Sequence, residues 1–316
     1  MKEKIRGLHH VTAIATDPQR NLDFYVGLLG LRFVKRTVNF DDPGSYHFYF
    51  GDHRGTPGTI LTFFPWPGTR RGSRGTGQIE ATAFAISPNS TGYWVERFKQ
   101  HHVMAEKISR FGAEGLRFTD PDGLLLELIA ASSLPAVEPW PGSSISPEHA
   151  LRGFHSVSAD LEGYERTARL LTDTFGFRLI DNFGNRFRFV SADDTAPGRM
   201  VDLLCLPDTS VGHVAAGSVH HIAFRAKDEA EQLKWREHLV DLGLNVTPVI
   251  DRTYFHSIYF REPGGILFEI ATDPPGFTLD EKLEELGNHL RLPSWYESSR
   301  SEIENILPPI HLPAQS

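Results

Sequence analysis

The sequence predicts an α+β protein in which four βαβββ units form two incomplete β-barrels. Three observations lead there. One pattern, a strand, a helix and three short strands, is written four times along the 316 residues. The length suits two folding units of roughly 100–200 residues each. A single such unit leaves a concave sheet face that needs cover, so units should pair side by side, and four make two barrels.

The first copy is the clearest. It opens at Gly7 with the strand GLHHVTAIATD, continues with NLDFYVGLLGL at helical spacing, and closes near Trp66 with RFVKRTVNF, YHFYFGD and GTILTFFPW. The second spans residues 77–131, with the strand QIEATAFAI, the helical stretch TGYWVERFKQHH and the closing LRFTDPDGLLLELIA. The third, 151–206, contains RGFHSVSAD, YERTARLLTDTFGFRLI and RMVDLLCLP. The fourth, 218–273, contains VHHIAFRAKD, the helix DEAEQLKWREHLVDLG and the hairpin HSIYFREPGGILFEIATD. Residues 1–140 therefore hold an N-terminal pair of units and 150–273 a C-terminal pair. Gly- and Arg-rich residues 67–76 read as a solvent-exposed loop, because their glycines do not match a phosphate-binding loop. Pro- and Ser-rich residues 132–150 read as the linker between the pairs. Residues 274–316 form a helical and extended tail, with an amphipathic helix expected over 279–290.

Composition narrows the chemistry. With 40% hydrophobic and 23% charged residues the chain is an ordinary folded one. No apolar run reaches the ~18 residues of a membrane span, and the leading MKEKIRG runs into a strand, so a cytoplasmic protein is expected. A net charge of −8 argues against nucleic-acid binding. Cys205 is the one cysteine among fifteen histidines, so any metal must be held by nitrogen and oxygen. A small neutral or phenolic substrate fits this balance better than a polyanion.

Two histidine doublets stand inside apolar strands. Side chains alternate between the faces of a strand, which puts His220 with Ile222 and Phe224 on the apolar register and His221 with Ala223 and Arg225 on the cleft register. By the same parity His10, with Thr12, is the better ligand of the first doublet. Aligning the four units gives first-strand positions His10, Thr82, His155 and His221, and closing-strand positions Thr62, Glu127, Asp202 and Glu269. One barrel can draw His10, His221 and Glu269 from these eight, with Thr62 leaving the fourth place open. Two imidazoles and one carboxylate on one octahedral face suit Fe(II) or Mn(II) and leave room for substrate and O2. A fourth ligand, as from a second Glu or Gln, would instead favour Lewis-acid isomerisation. A histidine in an apolar strand is commonly a core residue, but a carboxylate at the centre of ILFEIA is costly to bury without a partner. Glu127, His155 and Asp202 read as a degenerate second site, and His101 and His102 as surface residues.

These repeats and the string IYFREPGGILFE resemble the vicinal oxygen chelate superfamily of glyoxalases and extradiol dioxygenases. Ile258, Tyr259, Glu262, Pro263, Gly265 and Glu269 fit the extradiol pattern, whereas the histidine usual upstream of the tyrosine is unmatched, His256 lying too close. The opening GLHHVTAIATD, the doublet in SVHHIAF and the C-terminal LPSWYESSRSEIENILPP are similar to the hydroquinone-cleaving subgroup, including the methylhydroquinone dioxygenases of bacilli. The resemblance implies Fe(II), with Mn(II) as the alternative, on His10, His221 and Glu269, and hence a pairing of unit one with unit four and of unit two with unit three. Ordinary extradiol enzymes draw their ligands from the third and fourth units, which would put His155 in place of His10. The resemblance also implies roles for His9, Thr12, His220, Arg252 and Tyr259 around the metal, with His220 and Tyr259 moving protons and Arg252 holding a phenolate oxygen. The substrates implied are a small aromatic diol and O2. Catechol cleavage, glyoxalase-like isomerisation or thiol transfer, and metal-free ligand sequestration are the other activities this resemblance allows. A homo-oligomer is left open. Tyr259 faces the cleft only if the hairpin loop is odd, as a three-residue Pro263–Gly265 loop would be.

Overall fold

Short apolar runs bounded by glycine and proline turns set out sixteen strands among the described residues. The computed structural model describes residues 3–193 and 196–312; residues 1–2 of the leading segment, 194–195 of the third unit and 313–316 of the tail lie outside the described residues. The first unit supplies β1 (Leu8–Ala15), β2 (Arg32–Asn39), β3 (Asp42–Gly51) and β4 (Ile60–Pro65). The second supplies β5 (Gln78–Ile86), β6 (Ala105–Arg110), β7 (Ala113–Thr119) and β8 (Leu125–Ala130). From the third come β9 (Phe154–Leu161), β10 (Arg178–Phe183), β11 (Arg186–Val190) and β12 (Met200–Cys205). The fourth gives β13 (Val219–Ala226), β14 (Ile250–Asp251), β15 (Phe255–Arg261) and β16 (Leu267–Pro275).

Each unit carries its helix between its first and second strands: α1 (Pro18–Leu22), α2 (Thr91–Gln100), α3 (Glu165–Arg169) and α4 (Glu229–Asp241). Asp17 caps α1 by accepting from the Arg20 N–H, and Asp228 caps α4 by accepting from that of Glu231. In the first and third units the helix widens into a π turn, over Asp23–Leu28 and Leu170–Thr174.

The strands form two eight-stranded sheets, ordered β14-β15-β16-β13-β1-β4-β3-β2 and β10-β11-β12-β9-β5-β8-β7-β6. Unit four is thus joined to unit one through the antiparallel β1–β13 pair, and unit three to unit two through β5–β9. The outward faces bury an aromatic and aliphatic core that includes Tyr25, Phe50, Phe63, Phe224 and Trp235.

All four opening strands are bulged at the same place. The register of β1 with β13 slips at His9 and at His220, and that of β5 with β9 slips at Glu80 and at His155. Within each unit the first strand pairs in parallel with the last, Thr12 with Thr62, Ala83 with Glu127, Ser158 with Asp202 and Ala223 with Glu269. Counting back two residues, the counterparts of His10 and His221 are Ala81 and Ser156. The sequence-based alignment on Thr82 and His155 is one residue out in each unit, because the correspondence is fixed by the register with the last strand, which one strand alone does not reveal. His155 corresponds instead to His9 and His220.

The tail departs from expectation over 279–290, which is not an α-helix. Short 3₁₀ turns at Phe277–Leu279 and Leu283–Glu285 flank a segment that follows β2, and the α-helix α5 (Arg300–Ile306) comes later. The cause is the fully buried Lys35, whose ammonium takes Asp280 at 2.6 Å together with Glu281. Glu281 also accepts from the backbone N–H groups of Gly287 and His289, which wraps the chain around a carboxylate instead of a helix axis. Gly287 has φ of 82° and a side chain there would strike the Phe33 carbonyl. Beyond it Trp295 meets Phe40 edge-on and the Tyr296 hydroxyl donates to the Phe40 carbonyl, so the tail props the β2–β3 turn. No helix among the described residues is long and apolar enough to cross a membrane.

Candidate metal centre

The β1–β13 pair brings two histidines face to face, and β16, beside β13, adds a carboxylate. His10 Nε2 lies 3.3 Å from His221 Nε2. Glu269 Oε2 lies 3.2 Å from the first and 2.9 Å from the second. All three side chains are buried, and among the described residues they are the one group of His, Cys, Asp and Glu that converges on a point. Ser257 donates to Glu269 Oε1, whereas Oε2 has no hydrogen-bond partner despite its close nitrogens. Close approach without a directed N–H is what three lone pairs aimed at one cation produce. Donors about 2.1 Å from a divalent ion and at right angles stand about 3.0 Å apart, and the observed triangle has edges of 2.9 to 3.3 Å. The residues therefore fit a facial 2-His-1-carboxylate set.

Protonation agrees with that geometry. Burial would raise the Glu269 carboxyl, but positive charge at His10 and His221 outweighs it and holds the group well below the ordinary carboxylate range; a cation between the three would supply that charge with both rings neutral. Burial lowers His221, leaving its imidazole neutral. The bulges explain the rest of each doublet. They bring His9 Nδ1 to 2.9 Å from His10 Nδ1, and His220 Nδ1 to 2.7 Å from His221 Nδ1. The simple parity that assigned His9 and His220 to the helix-facing register fails at a bulged residue. Burial pushes His220 down to about 3, and burial with the neighbouring His10 pushes His9 well below its usual value. Both are neutral, so each can accept on Nδ1 from the inner histidine and leave that ring's Nε2 unprotonated and aimed at the centre.

A cavity of about 410 Å³ opens onto this triangle. Phe64 and Trp66, stacked at 11°, form an apolar wall with Leu267 and Phe255, while His47, His220, Arg252 and Tyr259 supply polar atoms. Tyr259 pairs directly with Glu269 across the hairpin, and the Glu262 N–H bonds the Ile266 carbonyl, so the loop is the three residues Pro263–Gly265. The Tyr259 hydroxyl accepts from Arg252 Nε at 3.3 Å, and burial followed by Glu269 raises its phenol above the usual range. Arg252 does not pair with Asp251 or Glu262; its second partner is Asp41 of the β2–β3 turn, at 3.1 Å. Thr12 lies buried beside Thr62, whose hydroxyl donates to it at 2.9 Å. The structure thus gathers His9, His10, Thr12, His220, His221, Arg252, Tyr259 and Glu269 in one place. It adds His47, Tyr49 and Ser257, which reading only the first and last strand of each unit left out, and whose signal was their parity with Phe64, Thr62 and Glu269 on the facing strands.

The equivalent place in the other sheet is filled with arginine. Arg110 and Arg117 hold Glu127, and Arg186 and Arg188 hold Asp202. His155 bonds Ser156 through Nδ1 at 3.1 Å, and burial followed by Arg188 lowers it to about 3. Glu127, His155 and Asp202 do not converge, because the guanidinium groups occupy the positions where an ion would lie.

The sequence pattern of the Glyoxalase/Bleomycin resistance protein/Dioxygenase superfamily matches residues 7–128 and 161–270. The chain is 46% identical over 312 residues to a protein of Bacillus subtilis (strain 168) provisionally named ring-cleaving dioxygenase MhqO, covering 99% of both chains. It is 34% identical to the chlorohydroquinone/hydroquinone 1,2-dioxygenase of Sphingobium indicum, covering 96% of each. A Bacillus subtilis crystal structure provisionally described as a dioxygenase superposes with a TM-score of 0.95 at 45% identity, over 98% of this chain and 99% of that one. Glyoxalase I from Zea mays shares the fold with a TM-score of 0.64 at 16% identity, over 90% of this chain and 97% of that one.

Proposed function

The chain belongs to the Glyoxalase/Bleomycin resistance protein/Dioxygenase superfamily, and from that premise we propose that it is an Fe(II)-dependent, extradiol-type ring-cleaving dioxygenase acting on hydroquinone-like aromatic diols with O2. The observation that carries this reading is the triangle of His10, His221 and Glu269, with its unpartnered carboxylate oxygen, at the end of a cavity walled by Phe64, Trp66 and Leu267. The names of its relatives, ring-cleaving and hydroquinone dioxygenases, support the substrate class.

Iron held by His10, His221 and Glu269, or manganese in its place, would supply binding of a ring hydroxyl and of dioxygen and a path for electrons between them. The chain's own residues do the rest. The stacked Phe64 and Trp66 give an aromatic ring an apolar surface and keep water from its carbons. Arg252, fixed by Asp41, offers a charge-assisted donor to an anionic oxygen of the substrate. Tyr259 accepts from Arg252 and so keeps its own proton to donate into the cavity. His220, neutral and bonded through Nδ1, presents its other nitrogen to the cavity as a proton carrier. The fourth position, where a carboxylate would suit Lewis-acid isomerisation, is Thr62, already bonded to His47 and Thr12. That favours oxygen chemistry over a glyoxalase-like reaction.

The test is oxygen consumption. Protein loaded anaerobically with Fe(II), then given hydroquinone and O2, should take up one O2 per ring opened, and a Mn(II)-loaded sample run in parallel ranks the two metals. Stoichiometric metal binding without hydroquinone-dependent O2 uptake would overturn the reading.

A further inference from the structure

We propose that His47 is a positioning residue that turns the Thr12 hydroxyl into a fixed hydrogen-bond donor at the open side of the His10–His221–Glu269 centre. The inference deepens the ring-cleaving reading and rests on that centre holding a metal. It starts from a chain of three hydrogen bonds on the interior face of the first unit. The Tyr49 hydroxyl lies 2.9 Å from His47 Nδ1, His47 Nε2 lies 2.9 Å from Thr62 Oγ1, and Thr62 Oγ1 donates to Thr12 Oγ1 at 2.9 Å.

With the Thr62 hydroxyl donating to Thr12, the rest of the chain can run only one way. Thr62 has a single proton and spends it on Thr12, so it can only accept from His47. His47 Nε2 must then carry a hydrogen. Burial and the nearby His10 keep the ring neutral, so Nδ1 is bare and accepts from Tyr49. Thr12, having accepted from Thr62, keeps its own proton for a further acceptor.

Register decides where that acceptor lies. Thr12 is two residues beyond His10 on the same interior face, pairs with Thr62 on one side and sits across from His221 on the other. On this register the acceptor would be a ligand oxygen carried beside the two histidines. The His47 ring itself is fixed between Tyr49, at 4.1 Å, and Phe64, at 4.4 Å between centroids. Replacing its nitrogens need not disturb the stack.

The experiment uses the full chain loaded with Zn(II), which cannot cleave the ring, and 4-nitrophenol, whose yellow phenolate reports ionisation of a metal-bound hydroxyl. In the unaltered protein the bound phenol should titrate below its value in free solution. His47→Phe and Thr62→Val should each raise that apparent pKa by about one unit, a roughly tenfold weaker grip on the phenolate, with zinc content and circular dichroism unchanged. Thr62→Ser, which restores the relay, should behave as the parent. An unshifted titration in His47→Phe, an equal loss in Thr62→Ser, or no binding of 4-nitrophenol to the parent overturns the proposal. Oxygen uptake with hydroquinone on the iron-loaded proteins separates the two readings. Normal titration shifts without ring cleavage leave the relay standing and sink the dioxygenase assignment, and cleavage with no shift does the reverse.

Discussion

Glu269 is buried in the string ILFEIA, where an unpaired carboxylate costs several kcal/mol. Its charge is tolerable only while His10, His221 and a cation face it. Glu269→Gln and His221→Ala should therefore lose stoichiometric iron and hydroquinone-dependent O2 uptake together. Elemental analysis after anaerobic loading checks this, and full iron retention in either variant contradicts the assignment. These three residues were legible in the sequence because a charge inside an apolar strand and a repeated histidine doublet are anomalies of composition. His47 was not, since one histidine in the aromatic run YHFYF reads as ordinary packing until Thr62 is known to face it. His155 was legible as a residue but misplaced by one, and its environment gives a pH test. Burial and then Arg188 lower its imidazole from 6.5 to about 3, so below pH 6.5 the unfolded chain binds a proton that the folded chain refuses. The stability from keeping it neutral is complete above pH 6.5 and is lost as pH falls towards 3. Between pH 7 and 4, His155→Gln should lose less stability than the parent, by on the order of 2–4 kcal/mol, measured by denaturant unfolding. Equal losses would show that His155 is protonated freely in the fold.

The β15–β16 hairpin and the bulged first strands do different parts of the work. A three-residue loop puts Tyr259 on the face of Glu269, and this was readable because turn chemistry and period-two alternation are local, although Ser257, two residues earlier on the same face, was passed over. The bulges were not readable, because a residue inserted into one strand is defined only against its partner strand, here one from the other end of the chain. The tail segment misled for the same reason. Its helical periodicity over 279–290 is real, but Lys35, some 245 residues earlier, claims Asp280 and Glu281. At this scale Ser257 gives the sharpest prediction. Its hydroxyl fixes Oε1 so that Oε2 is presented to the centre. Ser257→Ala should weaken metal binding by about 10–100-fold, the usual effect of losing a group that orients a ligand, while global stability falls by only about 1–2 kcal/mol. Competition with a coloured chelator measures the first and thermal unfolding the second. Unchanged affinity would mean that the hairpin backbone alone orients Glu269.

Across the whole molecule the four repeats have diverged in pairs. Units one and four hold the histidines and the cavity, whereas units two and three fill the same volume with Arg110, Arg117, Arg186 and Arg188 against Glu127 and Asp202. The arginine-filled sheet is the counterpart of the one that carries His10, His221 and Glu269. Because units one and two lie in different sheets, as do units three and four, the chain connection and the barrels run crosswise, and both sheets are stitched across the 132–150 linker by β1–β13 and β5–β9. Cutting there would leave fragment 1–131 with His10 and fragment 150–316 with His221 and Glu269. Each fragment alone would also expose two central strands as unpaired edges, which promotes aggregation or non-native pairing. The fragments should therefore be unstable or aggregated singly, with metal affinity reduced at least tenfold. Refolded together, they should give a one-to-one complex that binds one metal ion and regains cooperative unfolding. Size-exclusion chromatography and metal analysis of single and mixed fragments decide the matter. If fragment 150–316 alone were a stable monomer with the metal affinity of the whole chain, the third ligand would have to come from within it, and the crosswise pairing that places His10 opposite His221 would be wrong.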